Sequence, residues 1–196
     1  AKDFELIVQD LRSKSGAGEG LLIALRLQAD ELEGSATRAL DSALALHKER
    51  ALIAQSVSDF QAEAESYDAA GNIERRESHG DRAAECWERA VAIARAHDLK
   101  ETLASSLQAL GIHFRECREP DRARAATMEA MELARKLGDD RLWADTIFDL
   151  ACLEENLERT DDARSRYTEA LRLYEQLGDA SGWRNASERL ANLADQ

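Results

Sequence analysis

Apolar residues recur along this chain at helical spacing, with charged residues between them. Phe4, Ile7, Val8 and Leu11 lie on one face of a short helix, and Leu107 and Leu110 are matched forty residues later by Ile147 and Leu150. Breakers cut the longer stretches into pairs. Over 143–183 the pattern predicts a helix at 143–157, a turn at 158–161 and a second helix at 162–176, closed by Leu177-Gly178-Asp179. Asp81, Asp121 and Asp161 recur at the start of second helices, where a carboxylate can cap free N–H groups and oppose the helix dipole. Pro120 falls in the corresponding turn, where a missing N–H costs little, and Gly138 and Gly178 fall just past a second helix, where a left-handed stop favours glycine. Each unit reads as a helix hairpin.

The hairpins repeat. Setting residues 104–143 on 144–183 gives 12 identities in 40 pairs, among them Leu110/Leu150, Asp121/Asp161, Ala123/Ala163, Gly138/Gly178 and Trp143/Trp183. Setting 64–103 on 104–143 gives 11, including Gly71/Gly111, Asp81/Asp121 and Ala90/Ala130. A fixed period of this size marks a solenoid. Small residues recur two turns apart at Ala83/Ala123/Ala163 and Ala90/Ala130/Ala170, and on the first helix at Gly71/Gly111/Ala151. They let helix axes approach, while Leu107, Leu110, Leu133, Ile147, Leu150 and Leu173 fill the seams.

Large-then-small on the first helix (Leu110-Gly111, Leu150-Ala151) and two alanines flanking another residue on the second (Ala83/Trp87/Ala90, Ala123/Thr127/Ala130, Ala163/Tyr167/Ala170) resemble the tetratricopeptide repeat (TPR) family. The period is 40 rather than 34, and Leu-Gly-Asp stands in place of the closing proline, so the resemblance is nearest to the longer repeats of LGN/Pins-type adaptors, rapsyn and bacterial MalT-like regulators. It implies an all-α fold, a right-handed α-α superhelix of antiparallel hairpins. The expected organisation is an N-terminal helix and flexible loop at 1–20, a degenerate helix pair at 21–63, three repeats at 64–183 and a capping helix at 184–196. In the degenerate pair Gly34-Ser35 makes the turn, and His47 and Arg50 stand where apolar residues belong. Residues 56–59 form the break before the next helix, with Asp59 as a candidate N-cap.

Composition agrees with helices: 35 Ala and 26 Leu stand against 16 Val, Ile and Thr in 196 residues. A net charge of −13 repels phosphate backbones and anionic lipid, which argues against nucleic acid and membrane as partners. No stretch approaches the roughly 18 apolar residues of a spanning helix, and the first residues lack a signal-peptide pattern, so the expected compartment is the cytoplasm. Cys86, Cys117 and Cys152 are odd in number and widely spaced, as reduced and mostly packing thiols would be.

Catalytic chemistry finds no foothold. Gly16, Gly18 and Gly20 lack the Lys-Ser/Thr of a phosphate loop, and His113 with Cys117 lacks further metal ligands at matching spacing. Asp139-Asp140, Glu154-Glu155 and Asp161-Asp162 read as solvated charges. No cofactor is expected. The TPR resemblance implies that first helices line a concave groove for a peptide or partner helix. Its expected contact residues are Asp68, Asn72, Arg75, Arg76, Gln108, Ile112, Arg115, Asp145, Phe148, Cys152 and Glu155, with Ile112, Phe148 and Cys152 as an apolar patch and Arg75 and Arg115 steering an acidic segment. Phe148 stands where the other units carry Asp68, Gln108 and Glu188, and Asp68, Asp145 and Asp149 disfavour the carboxylate clamp of co-chaperones. Trp143 and its repeat mate Trp183 read as packing residues. Two functions remain: a free-standing interaction module, or the effector-sensing segment of a larger MalT-like signalling ATPase or transcription regulator, whose other domains would then be its partners.

Overall fold

A computed structural model describes residues 40–194, together with helical Ile23, Leu25 and Leu27. The helix expected over Phe4–Leu11, the loop at 14–20 with its three glycines, and the turn at Gly34-Ser35 lie outside the described residues. Eight helices follow one another from residue 40, with no strand among the described residues: α1 (Leu40–Ser56), α2 (Phe60–Arg76), α3 (Gly80–Ala96), α4 (Lys100–Glu116), α5 (Pro120–Leu137), α6 (Asp140–Asn156), α7 (Thr160–Leu177) and α8 (Ala180–Ala194). A helix begins every 20 residues, so the helix pair recurs every 40. The fold is all-α, a TPR-like helical repeat.

The turns are as periodic as the helices. Asp59, Glu119 and Asp179 donate their backbone N–H to the carbonyls of Ala54, Phe114 and Tyr174 at 2.9, 2.8 and 2.9 Å, and His79, Leu99, Asp139 and Arg159 make the same five-residue reach. These are the long bonds of Schellman stops. The residue before each donor is left-handed: Ser58, Ser78, Asp98, Arg118, Gly138, Glu158 and Gly178, at φ between 56° and 71°. Glycine meets that need at two of the seven, and L-residues hold the other five.

Helix starts fall two or three residues earlier than the apolar pattern placed them, because the caps sit elsewhere. Asp59 and Asp139 accept from the N–H groups of Ala62 and Leu142, and Asp179 from those of Ser181 and Gly182. Asp81, Asp121 and Asp161 are not caps: they lie within the first turn, while His79, Glu119 and Arg159 occupy the cap position without a side-chain bond to the helix's free N–H groups. Their carboxylates stand where they oppose the helix dipole. Pro120 is the first residue of α5.

The chain divides into two compact units, residues 1–102 and 103–196. In the first, Leu40, Ala43 and Ile73 form one core cluster and Ala54 and Ala62 another. His47 and Arg50 are buried despite their polarity, and Arg50 donates to Ser66 Oγ and Glu65 Oε2, each at 3.0 Å. Trp87 is fully buried against Gly71, where a Cβ would stand 2.5 Å from its Nε1. The second unit repeats this device at the same register. A Cβ on Gly111 would collide with Thr127 Oγ1, and Ala151 packs with Tyr167. The small residue on each first helix is the seat for residue 87, 127 or 167 on the second.

In the second unit one core cluster gathers Ala144, Ile147, Ala170, Tyr174 and Ala186, and another gathers Ala151, Cys152, Ala163, Tyr167 and Leu193. Helix α8 contributes Ala186, Leu190 and Leu193 to them and exposes Arg184, Asn185, Glu188 and Asn192. Trp143 packs on the first cluster, but Trp183 is 46 % exposed, so the packing role expected of both belongs to Trp143 alone.

Candidate functional site

The residues expected to face a partner lie on α2, α4 and α6. In the first unit Asp68 and Asn72 stand a turn apart, with Asn72 Nδ2 donating to Asp68 Oδ2 at 3.5 Å, and Arg75 and Arg76 are exposed in the last turn of α2. In the second unit three first helices converge. Gln108 of α4, Asp145 and Phe148 of α6 and Asn185 of α8 line a cleft of about 210 Å³, completed by Arg141, Asp149 and Tyr174. Repeat register, with the TPR resemblance, put Gln108, Asp145 and Phe148 among the expected contact residues. It missed Arg141 and Tyr174, which have no counterparts of their kind in neighbouring repeats. Arg141 had one local signal, Asp145 four residues after it, and Tyr174 had none, its partner Asp145 lying 29 residues away.

The cleft is polar and tightly wired. Tyr174, 2 % exposed, donates its hydroxyl to Asp145 Oδ1 at 2.8 Å. Burial, then that bond to Asp145, pushes the phenol well above its ordinary pKa. Gln108 Nε2 donates to Asp149 Oδ2 at 2.9 Å, and Arg141 reaches Asp145 Oδ2 at 3.2 Å and Asp179 Oδ2 at 3.1 Å. Phe148 is partly buried: its ring centroid lies 5.5 Å from that of Tyr167, and it packs on both core clusters while also lining the cleft.

Farther along the same helices the expectation changes. Cys152 is 2 % exposed, and its Sγ lies 3.2 Å from the Tyr167 hydroxyl, which also donates to Glu155 at 2.5 Å. Cys152 is a core residue and cannot join Ile112 and Phe148 as an exposed patch; burial pushes its thiol up. Ile112, Arg115 and Glu155 are partly buried, with Glu155 paired to Arg189 at 3.5 Å.

Glu154 also departs from expectation. It is 2 % exposed, held between Arg124 and Arg159, where a solvated charge was expected. The Arg124 hydrogen bond, acting against burial and helped by Arg159, keeps its carboxyl below the ordinary value. Glu74 occupies the same register in the first unit. There burial opposes ionisation, and the bonds from Lys48 and His79, at 3.1 and 3.0 Å, outweigh it. Between them in sequence stands Phe114, with the Arg122 guanidinium 3.8 Å from its ring centroid. His113 Nε2 and Cys117 Sγ lie 3.6 Å apart on an exposed face, and among the described residues they join no group of three metal-ligand types. A second cleft, about 380 Å³, opens in the first unit between Lys48, Tyr67, Arg82, Cys86 and Arg89, with Lys48 bonded to Glu74 and Arg89 to the Tyr67 hydroxyl.

Solved structures carry the same fold. BtubC (BKLC) from P. vanneervenii superposes with a TM-score of 0.74 at 19 % identity, over 99 % of this chain and 89 % of its own. A putative kinesin light chain of nearly identical TPR-like repeats from Podosopora anserina gives 0.68 at 13 %, over 87 % and 85 %. The TPR-sensor STAND (signal transduction ATPase with numerous domains) protein from Pyrococcus horikoshii gives 0.69 at 17 %, over 97 % of this chain and only 28 % of its own. No curated protein sequence matches the chain. The family model for the soluble NSF attachment protein, SNAP, matches residues 27–196, and the chain belongs to that family of helical-repeat proteins.

Proposed function

We propose that the chain is a non-catalytic interaction module that holds a peptide or partner helix on its first-helix face. The observation that carries this reading is the cleft shared by α4, α6 and α8, where residues matched by the repeat surround a partly exposed aromatic ring. Large, rigid side chains in such settings are where binding energy concentrates. The contact residues on this reading are Asp68, Asn72, Arg75 and Arg76 in the first unit, and Gln108, Ile112, Arg115, Asp145, Phe148 and Glu155 in the second. A family named for an attachment protein suits a surface whose work is to hold another protein. The 40-residue helix pair supports grouping these repeats with the longer TPR-like type. Net charge −13 supports a protein partner over nucleic acid or a membrane surface, and a cytoplasmic setting goes with that reading. No described helix is long and apolar enough to cross a membrane.

Amide chemical-shift mapping with a peptide selected by display tests the reading. Shifts clustered on α4, α6 and α8 around Phe148 are expected; shifts confined to α5 and α7 would refute it.

A second reading, an effector-sensing segment of a larger signalling ATPase, is supported by the likeness to the TPR-sensor STAND protein over 97 % of this chain. A nucleotide-binding domain encoded in the same reading frame would favour it.

A further inference from the structure

We propose that the cleft in the second unit recognises a cationic side chain, an arginine or lysine carried by the partner segment, and that Arg141 is its displaceable internal stand-in. The inference rests on reading this cleft as partner-binding and adds the chemistry of what enters it.

Size comes first. At about 210 Å³ the cleft is smaller than the roughly 300–1,000 Å³ of small-molecule sites, and it suits one long side chain. Its charge is next. Asp145 and Asp149 line it, and Asp179 meets the guanidinium of Arg141, the one basic residue among the lining side chains. Both lining carboxylates are fixed in place, Asp145 by the buried Tyr174 hydroxyl and Asp149 by the Gln108 amide. Acceptors already ordered by the fold lose little freedom when a donor arrives. Phe148 adds an apolar wall suited to the aliphatic stem of Lys or Arg, or to stacking of a guanidinium.

The resident cation shows what the cleft accepts. Arg141 bridges Asp145 and Asp179 at 3.2 and 3.1 Å, yet its side chain remains 59 % exposed. Its partners are less exposed, Asp145 at 32 % and Asp179 at 9 %, so the weaker contact is the more open one to Asp145, and there a partner's cation with apolar contacts behind it can take the place. An acidic segment would instead need Arg141 as its only positive contact here and would meet two fixed carboxylates of its own sign.

The test pans phage-displayed amphipathic helical peptides on the full chain and counter-pans on Phe148→Ala, so that the clones kept depend on the cleft. A recurrent Arg or Lys at one position is expected. With such a peptide, Asp145→Asn is expected to weaken binding about tenfold; the amide keeps an oxygen for the Tyr174 hydroxyl, and melting checks its fold. Arg141→Gln is expected to tighten binding about threefold, since it removes the competitor. Retained clones without a recurrent cation, or weaker binding by Arg141→Gln, would overturn the cationic specificity and leave the cleft as a docking site. Failure to recover any Phe148-dependent clone would overturn both.

Discussion

The left-handed position that closes a helix carries a measurable cost where an L-residue holds it. An L-residue there sacrifices about 1–2 kcal/mol relative to its right-handed state, of which glycine's extra unfolded-state entropy gives back about 0.5–1. Arg118, at φ 60° and exposed, is therefore expected to stabilise the protein by about 0.5–1 kcal/mol when replaced by Gly. Gly138→Ala, at φ 71° with open space around the new Cβ, is expected to cost about 1 kcal/mol. Thermal melting of the two proteins should move in opposite directions. Equal shifts would mean that the turn conformation is not what those sites demand. Glu154 tests electrostatics at the same scale. Its carboxyl, held by Arg124 and Arg159 below the ordinary value of 4.5, stabilises the fold fully above that value and loses its contribution as pH falls through the lowered one. Arg124→Ala is expected to cost about 2–4 kcal/mol at neutral pH, and the deficit should shrink under acid as Glu154 protonates. Urea unfolding across pH checks this, and a deficit independent of pH would contradict the pairing.

Within the helices, complementarity between a small residue and the one opposite sets the hairpin. Gly71→Ala would drive a Cβ to 2.5 Å from the Trp87 indole, an overpacking expected to cost about 1–3 kcal/mol. If Gly71→Ala melts like the parent, the seat is looser than described. This layer was legible in advance. Gly71/Gly111/Ala151, the alanine pairs and the glycine stops follow from one period. The caps at Asp139 and Asp179 were harder, because the recurrent aspartates at 81, 121 and 161 offered a more regular signal for a role the first turn does not give them. Buried Glu154 was not legible either. A charge beside another charge reads as solvated, and the arginine that neutralises it from another helix lies 30 residues away. The same holds for the Arg141–Asp179 pair and for Tyr174 on Asp145: repeat matching finds equivalent positions and is blind to contacts made once.

For the molecule as a whole, the repeat supplies a scaffold and its departures supply a site. Phe148 breaks a polar register, and around it the second unit gathers an acidic cleft within a chain of net charge −13. The ring also packs on Tyr167, so its truncation must reach stability as well as binding. The direct measurement is to determine melting and peptide affinity on the same Phe148→Ala protein. A partly buried ring should cost less stability than the roughly 3–5 kcal/mol of a fully buried phenylalanine, while binding of a display-selected peptide weakens by about 1–3 kcal/mol. Full core-sized destabilisation with unchanged affinity per folded molecule would assign Phe148 to the core and contradict the account of this face as the binding surface.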